Sequence, residues 1–271
     1  CTLLAILLGG YAALAHTEGL QSTYQFQQAR AHYAAEAGVM RAIYALQAPN
    51  MNDRWMADGR AYPFAFEDSK VGISIIAENG KVDINAASPD ILTNLFIAAG
   101  VDQNHAAELA QSVVNWRSFA VSSQQATERK AAYSAAGLDY GPRSGPFASL
   151  DELQMVLGMT PQLYETISPY ITKWSGRTSP DPNTAPLLDL ATLPGMNMQQ
   201  AQAMIANRTA AAAVANPVAG LGNNGITDSI RSEAVLADGT RAVLRVTVRL
   251  QGYRPGSQSF AVLRWQEGDG E

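Results

Sequence analysis

The fold class this sequence predicts is α+β: a long N-terminal helix packed on a small antiparallel sheet, with a large all-α insertion interrupting that sheet. Three observations predict it. The first 48 residues contain no proline. Strand-like runs occur on both sides of the middle of the chain, and the middle itself reads as capped helices joined at single glycines.

The chain has 271 residues, 47% of them hydrophobic, enough for one large domain or two modest ones. Its net charge of −5 disfavours partners bound by phosphate neutralisation, which needs clustered Lys and Arg. A single cysteine, Cys1, excludes intramolecular disulfides and Cys-based zinc sites.

Residues 1–48 are expected to form one helix, about 70 Å long. Thr2 to Ala15 is apolar, a run of about 20 Å, short of the roughly 30 Å hydrocarbon core. With Cys in place of Met and no positive n-region, the true N-terminus and the rest of an anchor are expected to precede Cys1. A lipidated Cys1 would lead into a polar tether, whereas the residues after Cys1 are apolar. Further on, Leu20, Tyr24, Ala29, Tyr33, Ala37, Met40 and Tyr44 recur at spacings of three to five. They read as an amphipathic stripe, and the second half of the helix is expected to pack on a soluble body.

Residues 49–86 change period. Phe-, Val- and Ile-rich runs broken at Asp68-Ser69 and Asn79-Gly80 predict hairpin strands. Residues 226–271 resume the pattern, with a turn at Asp238-Gly239. There Ala242, Leu244, Val246, Val248 and Leu250 share one face; Arg241, Arg245 and Arg249 share the other with Val243 and Thr247, which reads as a solvated surface.

Residues 87–225 form the predicted insertion. Ser88-Pro89 and Thr160-Pro161 read as helix starts, and Ser149 to Glu152 as a capping box. Gly100, Gly158 and Gly195 read as stops. The insertion also contains an echo: Asp-x-Asn-small-Ala, an apolar helix, a glycine, then a second helix closing on Arg, at 83–117 and again at 181–208.

Helix, glycine turn, helix is a plan that also grips DNA phosphates. Phosphate-binding units of this kind usually carry two glycines one residue apart. Here AAGVDQ, VLGMTP and LPGMNM keep the first and replace the second with Asp102, Thr160 or Asn197. Residues 87–225 hold seven Lys or Arg against ten Asp or Glu, 7 − 10 = −3. The hairpins therefore read as structural and no nucleic-acid partner is expected, although a membrane-tethered helix-hairpin-helix protein of DNA uptake is the alternative reading.

No catalytic constellation is evident. GLGNNG at 220–225 has dinucleotide-fingerprint spacing in the wrong context, ahead of a strand, and reads as a connection. His16, His32 and His105 share no metal-ligand spacing, and Asp151 and Glu152 sit in a helix first turn. An enzyme is not expected.

The apolar N-terminal helix, NGKVDINAASPDIL, AQSVVNW, SGPFASLDELQMVLGMTPQLYETISPYIT, the NTAP segment with LPGM and the closing hairpin together resemble the type II secretion minor pseudopilin K family. The resemblance covers nearly the whole chain, and SGPFASLDEL to GMTPQLY is its most specific part. It implies a pseudopilin fold with the helical insertion in its sheet, and a single-pass inner-membrane protein with its body in the periplasm. It also implies a role at the pseudopilus tip, where members assemble with minor pseudopilins I and J through packed N-terminal helices, with the inner-membrane secretion platform as a further partner. Leu3, Leu4, Leu7, Leu8, Leu20, Tyr24 and Tyr33 are the expected interface residues. Some members bind calcium in the inserted region through an acidic segment. Here Ser118 and Ala120 stand where acids are expected, so Glu128 is the one remaining candidate ligand, for a cation that takes several oxygens.

Overall fold

A computed structural model describes the backbone of residues 2–50, 53–214, 226–251 and 259–268, and the side chains of these from 16 to 208 and from 226 onward. The helix α1 runs Thr2–Leu46. After it come strands β1 (Asp58–Phe66) and β2 (Ser69–Ala77), then the two-residue β3 (Val82–Asp83). Helices α2 (Pro89–Ala98), α3 (Gln103–Arg117), α4 (Ser123–Ala135) and α5 (Pro161–Ile167) come next, then β4 (Ile171–Thr172). Helices α6 (Leu187–Leu190) and α7 (Met198–Val214) precede β5 (Thr227–Val235), β6 (Arg241–Leu250) and β7 (Phe260–Glu267).

The chain divides into two compact units, Cys1–Ile76 with Gly222–Glu271, and Ala77–Leu221. The first unit is α1 with a five-stranded sheet in the order β1-β2-β5-β6-β7. Its pairs β1/β2, β5/β6 and β6/β7 are antiparallel. The sheet is thus mixed with helix as the sequence predicts, and the strands on either side of the insertion lie side by side in it.

The core of this unit explains which face of α1 is used. Ala34, Ala35, Val39, Ala42, Ile43 and Leu46 pack on Val71, Ile73, Ile75, Ile230, Leu244, Val246 and Val248. Branched side chains on the sheet fill the space between layers, so the helix approaches with small residues. At Gly38 an added Cβ would stand 2.2 Å from Ser232 Oγ and 2.7 Å from Val71 Cγ1. The predicted stripe is corrected here. Nine residues is about two and a half turns, so Tyr24 and Tyr33 point opposite ways. Leu20 and Tyr24 lie in line with the buried face but beyond the sheet, whereas Ala29, Tyr33, Met40 and Tyr44 lie on the side turned from it.

The second unit is helical, with a core built from Ile91, Leu92, Leu95, Phe96, Leu109, Val113, Trp116, Phe147 and Ile167 among others. Two local expectations are corrected. Asn79-Gly80 does not turn a hairpin: Glu78–Gly80 is a 3-10 turn leading into β3, which pairs in parallel with β4. Nor does Ser149 cap a helix; Asp151–Met155 is a 3-10 segment whose cap residue is Leu150 with no side-chain bond. Glu152 instead accepts from the Ala148 amide at 3.3 Å and from Arg143 at 2.5 Å.

The sequence echo is a structural repeat. Asp83 accepts the Asn85 amide at 2.8 Å, and Asp181 accepts the Asn183 amide at 2.9 Å. Arg117 then donates to the carbonyls of Ile84 and Ala87 at 2.7 and 2.5 Å. Arg208 donates to those of Pro182 and Ala185 at 3.2 and 3.1 Å. In both copies an arginine of the second helix clamps the carbonyls one and four residues after the aspartate; Arg117 is the last residue of α3, whereas α7 does not close on Arg208 as expected but runs on to Val214. This is the reason both copies carry Arg at that place: its fork reaches two acceptors at once.

Candidate interaction surface

The polar residues that open the first repeat are engaged in structural hydrogen bonds. Asp83 is buried, and its second oxygen accepts from the Gly176 amide at 2.7 Å and Ser175 Oγ at 3.2 Å. The Asn85 side chain brackets Phe147, accepting its amide at 2.7 Å and donating to its carbonyl at 3.2 Å. His16 is exposed, His32 lies 3.8 Å from Glu267, and His105 lies 3.8 Å from Asp102. The structure brings no two of the histidines together. The GLGNNG stretch falls outside the described residues.

The three glycine turns are built alike. Gly100, Gly158 and Gly195 take φ of +94°, +90° and +74°, the left-handed region open to glycine. The residue two positions on caps the following helix. Asp102 accepts from the His105 amide at 3.1 Å, Thr160 from Leu163 at 3.2 Å, and Asn197 from Gln200 at 2.9 Å. A phosphate-binding turn needs such first-turn amides to face outward. Here the side chain that replaced the second glycine occupies one in each turn. Only α2 and α3 join two helices of ordinary length; α6 spans just Leu187–Leu190, and a 3-10 segment precedes α5.

Glu128 lies exposed on α4 and accepts from Gln124 Nε2 at 2.9 Å. Among the described residues, no group of three or more His, Cys, Asp or Glu is placed to hold a metal ion.

What remains is the surface of α1. Leu20, Tyr24 and Tyr33 are 59%, 63% and 65% exposed, and Phe26, Met40 and Tyr44 are exposed as well. They form two rows. Leu20 and Tyr24 extend the small-residue face past the sheet, while Phe26, Tyr33, Met40 and Tyr44 recur near multiples of a turn on the opposite side. Six large apolar side chains on one helix exceed the scattered exposed residue that needs no explanation. Arg41 steadies the lower end, its guanidinium 5.6 Å from the Tyr44 ring and 5.3 Å from Trp55. Trp55 in turn stacks on Tyr62 with centroids 4.2 Å apart. Leu3, Leu4, Leu7 and Leu8 sit on the helix, but their side chains lie outside the described residues. Among the described residues no helix is long and apolar enough to cross a membrane.

Sequence reasoning missed the small-residue face and Phe26. The signal was present as Ala31, Ala34, Ala35, Gly38 and Ala42 at helical spacing. It also missed Asp189, the one charge in the apolar run APLLDLATL, which is fully buried.

Residues 72–176 match the family model of type II secretion system (T2SS), protein K. No curated protein matches the chain. Among solved structures, the fold is shared with a chain of the GspK-GspI-GspJ complex from the type 2 secretion system of enterotoxigenic Escherichia coli. That match has a TM-score of 0.61 and 16% identity, and covers 92% of this chain and all of that one. The match from β2 past β4 is thus to a domain of type II secretion system protein K, and it lies on a fold shared over nearly the whole length with a chain of that complex.

Proposed function

We propose that this protein is a non-enzymatic minor pseudopilin at the tip of the type II secretion pseudopilus, assembled there with pseudopilins I and J in the export of proteins across the outer membrane. The observation that carries the reading is the uncovered apolar surface of α1, with Leu20, Tyr24 and Tyr33 exposed. Similar helices packing against these rows would bury them. The fold shared with a chain of a complex that contains GspI and GspJ supports the same partners.

In this reading the apolar run Thr2 to Ala15, with Leu3, Leu4, Leu7 and Leu8, forms part of an inner-membrane anchor. The body then stands in the periplasm and the secretion platform is a further partner. Residues 49–86 and 226–271 serve as the pilin-like sheet, and the helical block of residues 87–225 as the cap, its glycine-turn units acting as rigid scaffolding. The filled first-turn amides at Asp102, Thr160 and Asn197 favour this over DNA binding.

Size-exclusion chromatography with light scattering tests the reading, using residues 21–271 mixed with the periplasmic domains of pseudopilins I and J. A one-to-one-to-one complex, weakened by replacing Tyr24 and Tyr33 with Ala, is expected. Failure of the folded protein to form any complex would overturn it. For the anchor, Leu7→Lys in the full chain should weaken membrane retention while leaving the body folded.

A further inference from the structure

The loop between α3 and α4 carries the two most exposed large apolar side chains among the described residues: Phe119 is 77% and Val121 90% exposed. At those values neither side chain has a wall beside it, so the loop presents a knob, where a docking peptide or helix would need a groove.

The knob is held from both sides. From α4, Arg129 Nη1 donates to the carbonyls of Asn115 and Ser118 at 3.1 and 2.7 Å. Gln125 Oε1 accepts the Val121 amide at 2.8 Å, and Ser122 Oγ accepts the Gln125 amide at 3.1 Å. A loop fixed in this way keeps its apolar side chains outward, so only something outside the chain can take them out of water.

The placement of charge says what that is. Residues 118–127, SFAVSSQQAT, contain no charged side chain. The first charge before them is Arg117, and after them Glu128, Arg129 and Lys130 begin about 9 Å along α4 from Ser122. Three cations against one anion leave the base of the knob net positive. An apolar tip, an uncharged zone of that depth and a cationic base match the layers of a bilayer surface, into which interfacial elements sink by about 5–10 Å. The Ser118 carbonyl, the Val121 amide and the Ser122 hydroxyl are already bonded within the chain, so insertion would strand none of them. We propose that the loop bearing Phe119 and Val121 inserts into the surface of a lipid bilayer. Burying one Phe and one Val is worth about a thousandfold in partition, somewhat less than a single myristoyl chain gives. The contact is therefore reversible, and it is independent of how α1 is packed.

The test uses the full chain in nanodiscs, which keep the apolar start of α1 in lipid, sedimented with vesicles of phosphatidylcholine and phosphatidylglycerol. Wild type should sediment with the vesicles beyond the level of empty nanodiscs. Phe119→Ser with Val121→Ser should weaken this about tenfold or more at an unchanged melting temperature. Phe119→Leu with Val121→Leu keeps the tip apolar and should bind as wild type does. Phe119→Gln with Val121→Thr stands in for the Ser pair if that variant melts early. Wild type that sediments no more than empty nanodiscs would overturn the proposal and leave a protein partner for the knob. Sedimentation unchanged in the polar variants would overturn it too, placing the vesicle contact elsewhere on the chain.

Discussion

Arg117 donates to the carbonyl of Ile84 at 2.7 Å, and thirty-three residues of chain are closed by that contact. Its other nitrogen reaches Ala87, and Arg208 repeats the arrangement on Pro182 and Ala185. Lysine in either place would keep the charge and lose the fork. Arg117→Lys and Arg208→Lys should each cost about 1–3 kcal/mol. Arg177, exposed and 3.4 Å from the Ser179 carbonyl, should tolerate Lys with no measurable loss. Urea denaturation of the three variants checks this, and equal midpoints for all three would refute the clamp.

Asp189 gives a pH dependence of definite sign. It is fully buried in α6 and accepts the Val82 amide at 3.1 Å, while its other oxygen has no partner among the described residues. Burial raises its pKa well above 3.8, against the lowering effects of the Val82 amide and Lys81. A carboxyl that holds its proton more tightly folded than unfolded contributes stability at acid pH. That contribution is lost as pH rises from the unfolded value near 3.8 towards the folded one. Asp189→Asn keeps an acceptor for Val82 and cannot ionise. Thermal melts should therefore show the variant gaining on wild type steadily as pH rises from about 4 to 8. A wild type that gains on the variant over that range would mean the buried group is a stabilised carboxylate.

At Gly38 α1 approaches the sheet too closely for a side chain. Helix propensity alone favours Gly→Ala by about 1 kcal/mol. At Gly38 the new methyl would meet Ser232 Oγ and the Val71 side chain well inside contact distance. Gly38→Ala should thus lower stability by about 1–3 kcal/mol, and adding Ser232→Ala should recover part of the loss. Gly19 has nothing within 4 Å of an added Cβ, so Gly19→Ala should stabilise α1 slightly, read as increased helicity by circular dichroism.

These residues also show what sequence could and could not reveal. The extent of α1 was legible because no breaker precedes Pro49, and the sheet because Asp238-Gly239 and Asp68-Ser69 sit between runs of period two. The azimuth of α1 was not, because apolar spacings of three to five drift around a helix unless the partner surface is known. Large aromatics suggested the buried face, yet the branched residues of β2, β5 and β6 select alanines and a glycine. Asn79-Gly80 looked like a hairpin for a similar reason. Its geometry is set a hundred residues away: the Asp181 amide donates to the Asn79 carbonyl at 2.9 Å, and Thr184 Oγ1 to the Asn79 side chain at 3.0 Å. The expected capping box lost Glu152 to Arg143, again a partner outside the motif. The candidate surface was half legible: Tyr24 and Tyr33 are exposed, but as members of two rows.

Glu128 provides the last prediction. Calcium takes six to eight oxygens at 2.3–2.6 Å, so a site needs several carboxylates or carbonyls converging on one point. Glu128 stands exposed on α4 with Gln124 as its hydrogen-bond partner, and the loop before that helix has Ser118 and Ala120 where acids are expected. Ser122 is itself committed to capping α4, accepting the Gln125 amide at 3.1 Å, and the Ser118 carbonyl already accepts from Arg129 at 2.7 Å. A cation present at a hundred times its dissociation constant adds about 2.7 kcal/mol to the folded state, which moves a melting temperature by several degrees. Melts in millimolar calcium and in chelator should superimpose, and Glu128→Gln should stay within about 0.5 kcal/mol of wild type. A calcium-dependent rise in melting temperature that Glu128→Gln abolishes would establish a cation site built around that residue.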